Sequence, residues 1–182
     1  MSAAILSGCA NPILDTLPDR NAAAPPALTA NKVISLSVVR QEFPMMTRLA
    51  SEGVDPRAPG TPRATRRSQF SDPIAMRRLT VAVAEYPTEQ GAFTAFTDLV
   101  DDLRYAPGSI GLGRPDVGQY ALATLTRRSG GPIGVTIAAR DGPLIIQVSS
   151  TGLKYSREHL ERLIRLAERQ LSIAVTAGGP PE

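Results

Sequence analysis

One cysteine, one histidine, no tryptophan and two lysines in 182 residues set the first limits on this chain. Cys9 has no second cysteine to pair with, so it is a packed apolar group, an inert surface thiol or a modification site. A lone His159 excludes two-histidine metal sites, and any Ser-His-Asp or Cys-His arrangement has to use it. It stands between Glu158 and Leu160 in the first turn of an amphipathic helix, which predicts a surface or rim histidine without a special role. Four Phe and four Tyr are too few to suggest a stacking platform for single-stranded nucleic acid. A net charge of +3 does not establish a polyanion-binding surface, and no nucleic-acid partner is expected. Apart from Lys32 and Lys154 every basic residue is arginine, which beside abundant Ala, Pro and Gly reads as GC-rich coding. No run approaches the ~18 apolar residues of a membrane-spanning helix.

What is present begins at the N-terminus. Leu6-Ser7-Gly8-Cys9 places the cysteine directly after a small apolar tripeptide. This stretch resembles the lipobox of bacterial lipoproteins, in which the signal peptide is cut before a cysteine whose thiol carries a diacylglycerol. The resemblance covers this motif alone and implies lipidation, palmitate included, at Cys9 and attachment to a membrane. Only Ser2 to Leu6 lie between Met1 and Ser7, short of a basic n-region and an apolar run of ~7–15 residues. Residues 1–8 therefore read as the remnant of a signal peptide, with the true start upstream of Met1 or a shortened N-terminus. Through residue 30 the chain is rich in Pro, Ala, Asn and Asp, with Pro12, Pro18, Pro25 and Pro26 blocking regular structure. Residues 9–30 thus form a lipid-anchor cysteine with a disordered tether, 31–176 a folded domain, and 177–182 a disordered tail.

Within the domain, Val33 to Val39 fits a strand by its β-branched residues, and fits equally a helix opened by Asn31 and closed before Pro44. Residues 51–65, with Gly53, Pro56, Pro59, Gly60 and Pro62, read as a loop. A short strand at 67–70 leads to the turn Ser71-Asp72-Pro73, and 79–86 alternates large and small side chains as a strand does. Thr88 is the N-cap of a helix whose Phe93, Phe96, Leu99, Val100 and Leu103 share a stripe. After a connection over 106–118 come strands at 119–126, 133–139 and 144–150, with a turn at 129–132 and an Asp141-Gly142 hairpin. Ser156 caps a last helix with Leu160, Leu163, Ile164, Ala167 and Leu171 on one face, and Arg157, Arg162, Arg165 and Arg169 largely elsewhere. The pattern predicts an α+β fold: an antiparallel β-sheet with two amphipathic helices packed on one face, and a strand-strand-helix unit that recurs as a possible pseudo-repeat.

Chemistry is sparsely signalled. Asp98, Asp101 and Asp102 share a helix face but lack a calcium-binding loop, and read as a solvated surface. The glycine-rich 108–118 segment neither opens a helix nor ends in Gly-Lys-Ser/Thr, so it is a connection and not a phosphate loop. No catalytic residue, metal site or cofactor is expected. Arg63, Arg66, Arg67, Arg77 and Arg78 form the most basic region and are candidates for contact with an anionic surface. The resulting expectation is a cell-envelope lipoprotein, periplasmic or extracytoplasmic, whose domain is a non-catalytic binding or assembly module for an envelope protein or small ligand. The alternatives are a soluble small-molecule or lipid-binding module with an apolar cavity and, with less support, an enzyme.

Overall fold

Alternation along Leu79-Thr80-Val81-Ala82-Val83-Ala84 decides the architecture, because it gives one strand an aliphatic face and a face of small and polar groups. The computed structural model describes residues 28–29, 32–127 and 134–176. Cys9, the 1–8 segment, nearly all of the 9–30 tether, Asn31, the 129–132 turn and the 177–182 tail lie outside the described residues. In chain order the elements are α1 (Leu36–Glu42), β1 (Arg48–Gly53), β2 (Ala64–Asp72), β3 (Arg77–Glu85), α2 (Glu89–Tyr105), β4 (Ser109–Gly113), β5 (Tyr120–Thr126), β6 (Gly134–Asp141), β7 (Leu144–Thr151) and α3 (Arg157–Thr176). The strands form one sheet in the order β1-β2-β3-β7-β6-β5-β4, with every neighbouring pair antiparallel.

The chain adopts the α+β class and the antiparallel sheet that its pattern predicts. One open alternative is decided and three details depart from the pattern. Val33 to Val39 takes the helical alternative, closed before Pro44 as expected but capped at Ser35. Arg48–Gly53 is an edge strand, invisible to pattern because all six residues are exposed and none alternates. Ser109–Gly113 within the expected connection is likewise a strand at the other edge. The hairpin register pairs Asp141 with Leu144, so its central residues are Gly142 and Pro143, and only Gly142 needs a positive φ (51°).

The helices do not share one face. Leu79, Val81, Val83, Ile137, Ile146 and Val148 meet Leu163, Leu166, Ala167 and Leu171 of α3 in the larger core, which also takes Val39 and Phe43 from the α1 region. Ala84, Ala138 and Ile145 meet Ala92, Ala95 and Phe96 of α2 in a smaller core on the other side. Connectivity explains the division. β3 and β4 run parallel with three strands between them, so α2 is a crossover and lies over β7, β6, β5 and β4. The remaining aliphatic face is then covered by α3. Each meander ends in a helix, as a pseudo-repeat would have it. Antiparallel neighbours β3 and β7 followed by helices on opposite faces are related by no rotation, however, so the two units are not symmetric copies.

Thr88 caps α2 through its side chain, which accepts from Gly91 N at 3.0 Å, and Ser156 accepts from His159 N at 3.1 Å. On α3 the fully buried Gln170 ties the N-terminal segment to the core: its Oε1 accepts from Ile34 N at 2.9 Å and its Nε2 donates to Lys32 O at 2.8 Å. Replacement by leucine keeps the bulk but orphans both backbone groups, one of them deeply buried. Gln170→Leu is expected to lose about 2 kcal/mol, read as a lower urea midpoint. An unchanged midpoint would show the clamp to be dispensable.

Candidate polar cavity

Because α2 covers only part of its side of the sheet, the rest of that face is open, and its residues are polar. The register sets them in rows. One row runs Ser71, Arg78, Thr151, Gly134 and Thr126; the next runs Gln69, Thr80, Ser149, Thr136 and Thr124; a third holds Arg67, Ala82, Gln147 and Ala138. Over these rows lies a cavity of about 570 Å³, bounded by Leu99 on the α2 side and by Arg57 on the loop that joins β1 to β2.

Local bonding places that loop. The buried Asp55 receives Arg57 N on its Oδ1 at 3.1 Å, and its own N–H donates to Thr65 Oγ1 at 3.0 Å. Tyr86 holds the far end by donating its hydroxyl to Pro59 O at 2.6 Å. Burial, with the charge of Asp55 nearby, pushes the Tyr86 phenol far above its ordinary range and keeps it protonated as that donor. Asp55 also stands 3.6 Å from the Arg67 guanidinium. Among the described residues, Arg57 and Arg78 have no carboxylate within ion-pair distance, and no Asp or Glu lines the cavity. The site therefore offers three guanidinium groups around a floor of hydroxyls and amides, with one acid behind Arg67.

The five arginines singled out in the sequence are separated by strand alternation. Arg67 and Arg78 face the cavity. Arg66 points to the opposite face, where it bonds Glu52 Oε1 at 2.9 Å and Leu28 O at 2.9 Å. Arg77 lies 3.7 Å from Asp72 at the β2–β3 turn, and Arg63 is exposed beyond the end of β2. The contiguous basic patch is thus a feature of sequence order, not of the folded surface. Arg57 was not among those five; it falls in a Pro/Gly-rich stretch whose path only tertiary contacts define. Asp98, Asp101 and Asp102 lie on the exposed side of α2, and no cluster of three or more metal-ligating side chains occurs among the described residues. The 108–118 segment borders a second groove with Phe93 and Tyr120, and the buried Arg140 guanidinium lies 5.6 and 5.0 Å from the centroids of those two rings.

His159 is not at the rim. It is buried, one turn before Leu163 on the same stripe, with its ring edge-on to Phe43 at 5.8 Å. Nδ1 lies 3.2 Å from Lys154 O, which can only accept, so Nδ1 carries the proton; Ser150 Oγ then donates to Nε2 at 2.9 Å. A serine–histidine pair therefore exists, oriented as nucleophile and base would be, although it was not legible in the sequence. Ser150 is 1% exposed, and its hydroxyl faces α3, away from the cavity. Burial lowers the His159 pKa; the Lys154 carbonyl opposes that shift and the Arg162 charge adds to it.

Fold and cavity define a class: an α+β domain with a seven-stranded antiparallel sheet, sealed on its aliphatic face and half open over a polar one. No protein-family model matches the chain, and no curated protein matches it in sequence. Among solved structures it is similar to the extracellular domain of PknH from Mycobacterium tuberculosis, with a TM-score of 0.54 over 82% of this chain and 100% of that domain. At 10% identity the likeness is one of fold.

Proposed function

We propose that this chain is a non-catalytic binding module of a bacterial cell envelope, displayed outside the cytoplasm and held to a membrane by lipid on Cys9. The observation that carries the binding role is the open polar cavity beside Arg57, Arg67 and Arg78. A sheet face left uncovered and lined by donors is costly to the fold unless water or a ligand satisfies those groups. The location rests on the Leu6-Ser7-Gly8-Cys9 motif, and the fold of an extracellular domain is consistent with it. The polar lining favours a hydrophilic ligand over the apolar one of a lipid-carrying cavity, since the aliphatic face is filled by α1 and α3. The non-catalytic reading is supported by the enclosure of Ser150 and His159.

Native mass spectrometry of protein purified gently from its envelope fraction tests the binding role. The expected result is a co-purifying small molecule that is displaced when Thr136→Phe fills the floor of the cavity. A ligand retained by that variant would locate binding elsewhere, and its absence from both proteins would remove the binding reading.

A further inference from the structure

Arg67 and Arg78 stand on adjacent strands and on the same face of the sheet. Arg67 pairs with Ala82, four residues beyond Arg78, so their Cα atoms are separated by about 13 Å along the strands. The row of Gln69, Thr80, Ser149 and Thr136 lies between them, and Arg57 flanks the same cavity from the loop. Guanidinium groups on either side of a row of neutral donors complement a ligand with acceptor oxygens spread over several ångströms. Asp55 neutralises Arg67 in part, which leaves the cavity with excess positive charge. Arginine forks match tetrahedral oxyanions, and hydroxyl and amide donors fill the remaining lone pairs.

We infer that the cavity binds a phosphorylated ligand, its phosphoryl oxygens held by Arg57, Arg67 and Arg78 and by the hydroxyl row between them. This rests on the cavity being a binding site, as proposed above, and adds the chemical class. The phosphoryl group has two candidate sources, a soluble phosphorylated molecule and the headgroup of an anionic lipid.

The full chain, with Cys9 unmodified, is titrated calorimetrically with pyrophosphate at low and physiological salt. Its sedimentation with vesicles of phosphatidylglycerol or phosphatidylcholine is measured in parallel. Saturable pyrophosphate binding is expected, weakened at least tenfold by Arg78→Gln and by Arg67→Gln, weakened by salt, and changed less than twofold by Arg63→Gln. Arg78 is exposed and free of ion pairs among the described residues, so its variant keeps the fold even if the loss of the Asp55 contact disturbs Arg67→Gln. Binding to phosphatidylglycerol vesicles with the same variant pattern makes a lipid headgroup the source; pyrophosphate binding alone makes it a soluble phosphate. Binding insensitive to Arg67 and Arg78 overturns the assignment. A neutral ligand found by native mass spectrometry, with no response to pyrophosphate or vesicles, overturns the phosphoryl class and leaves the binding reading standing. No ligand of any kind overturns both.

Discussion

His159→Ala is expected to cost about 3 kcal/mol or somewhat more, a large part of the ~5–15 kcal/mol that holds a domain of this size. The substitution leaves Ser150 Oγ buried without the nitrogen to which it donates, worth about 1–3 kcal/mol. It also opens a cavity beside Phe43. Urea unfolding at neutral pH measures the loss. Ser150→Ala, which removes the smaller partner, should cost less, and the double variant less than the sum, because the two groups share one bond. A loss below 1 kcal/mol for His159→Ala would mean that the pair adds nothing the surrounding core does not already provide.

Burial of His159 sets a pH dependence. Because it holds the folded pKa below the ordinary histidine value of 6.5, the unfolded chain binds more protons between the two values, and stability rises with pH across that window. The contribution is fully present above about pH 6.5 and is lost as pH falls through the lowered folded value. His159→Gln should flatten this part of the stability–pH curve; an unchanged slope would assign it to other groups. Labelling of Ser150 by a fluorophosphonate would turn the buried pair into an accessible one and the non-catalytic reading with it.

Cys9→Ser has the largest effect expected on location. Two or three acyl chains contribute ~0.8 kcal/mol for each buried methylene, well beyond the marginal hold of one chain, so a lipidated protein partitions wholly to membranes. With a complete export signal placed before Leu6, the wild-type chain should take up labelled palmitate and sediment with membranes. Cys9→Ser should lose both the label and the membrane association. Wild-type protein that stays unlabelled under those conditions would leave Leu6-Ser7-Gly8-Cys9 as a chance match.

How much was legible can be followed along α3. Leu163, Ala167 and Leu171 were visible as a stripe because their burial needs no partner beyond apolar neighbours, and they are buried. His159 and Gln170 lie on that stripe too, but hydropathy counts them as surface. Burial of either depends on a particular acceptor or donor, Ser150 and Lys154 for one, Ile34 and Lys32 for the other. Those partners lie up to 138 residues away in sequence. The arginines of α3 lie off the apolar face, as expected, but local pattern does not show that Arg165 and Arg169 clamp the buried carboxylate of Glu42 at 3.0 and 3.3 Å, joining α3 to α1.

On α2 the aromatic stripe was only partly right. The sheet beneath it is built from Ala84, Ala138 and Ile145, so the helix approaches through Ala92 and Ala95, and Phe93 is left 44% exposed beside Tyr120. The neighbouring face, not the helix's own pattern, chose which residues are buried.

The sequence by itself determined the class of fold, the central strands, both long helices and their caps, because each follows from local periodicity and from side chains that bond within one turn. It also supplied the Cys9 motif, whose meaning is independent of the fold. Only the tertiary structure decided which face each helix covers, and therefore which half of the sheet stays open. A run of arginines has no fixed meaning in one dimension: pleating sends Arg66 to one side and Arg67 and Arg78 to the other. A loop held by Asp55 then brings Arg57 to the same cavity. Convergence of that kind is a property of strand register and long-range hydrogen bonds, which no local pattern encodes.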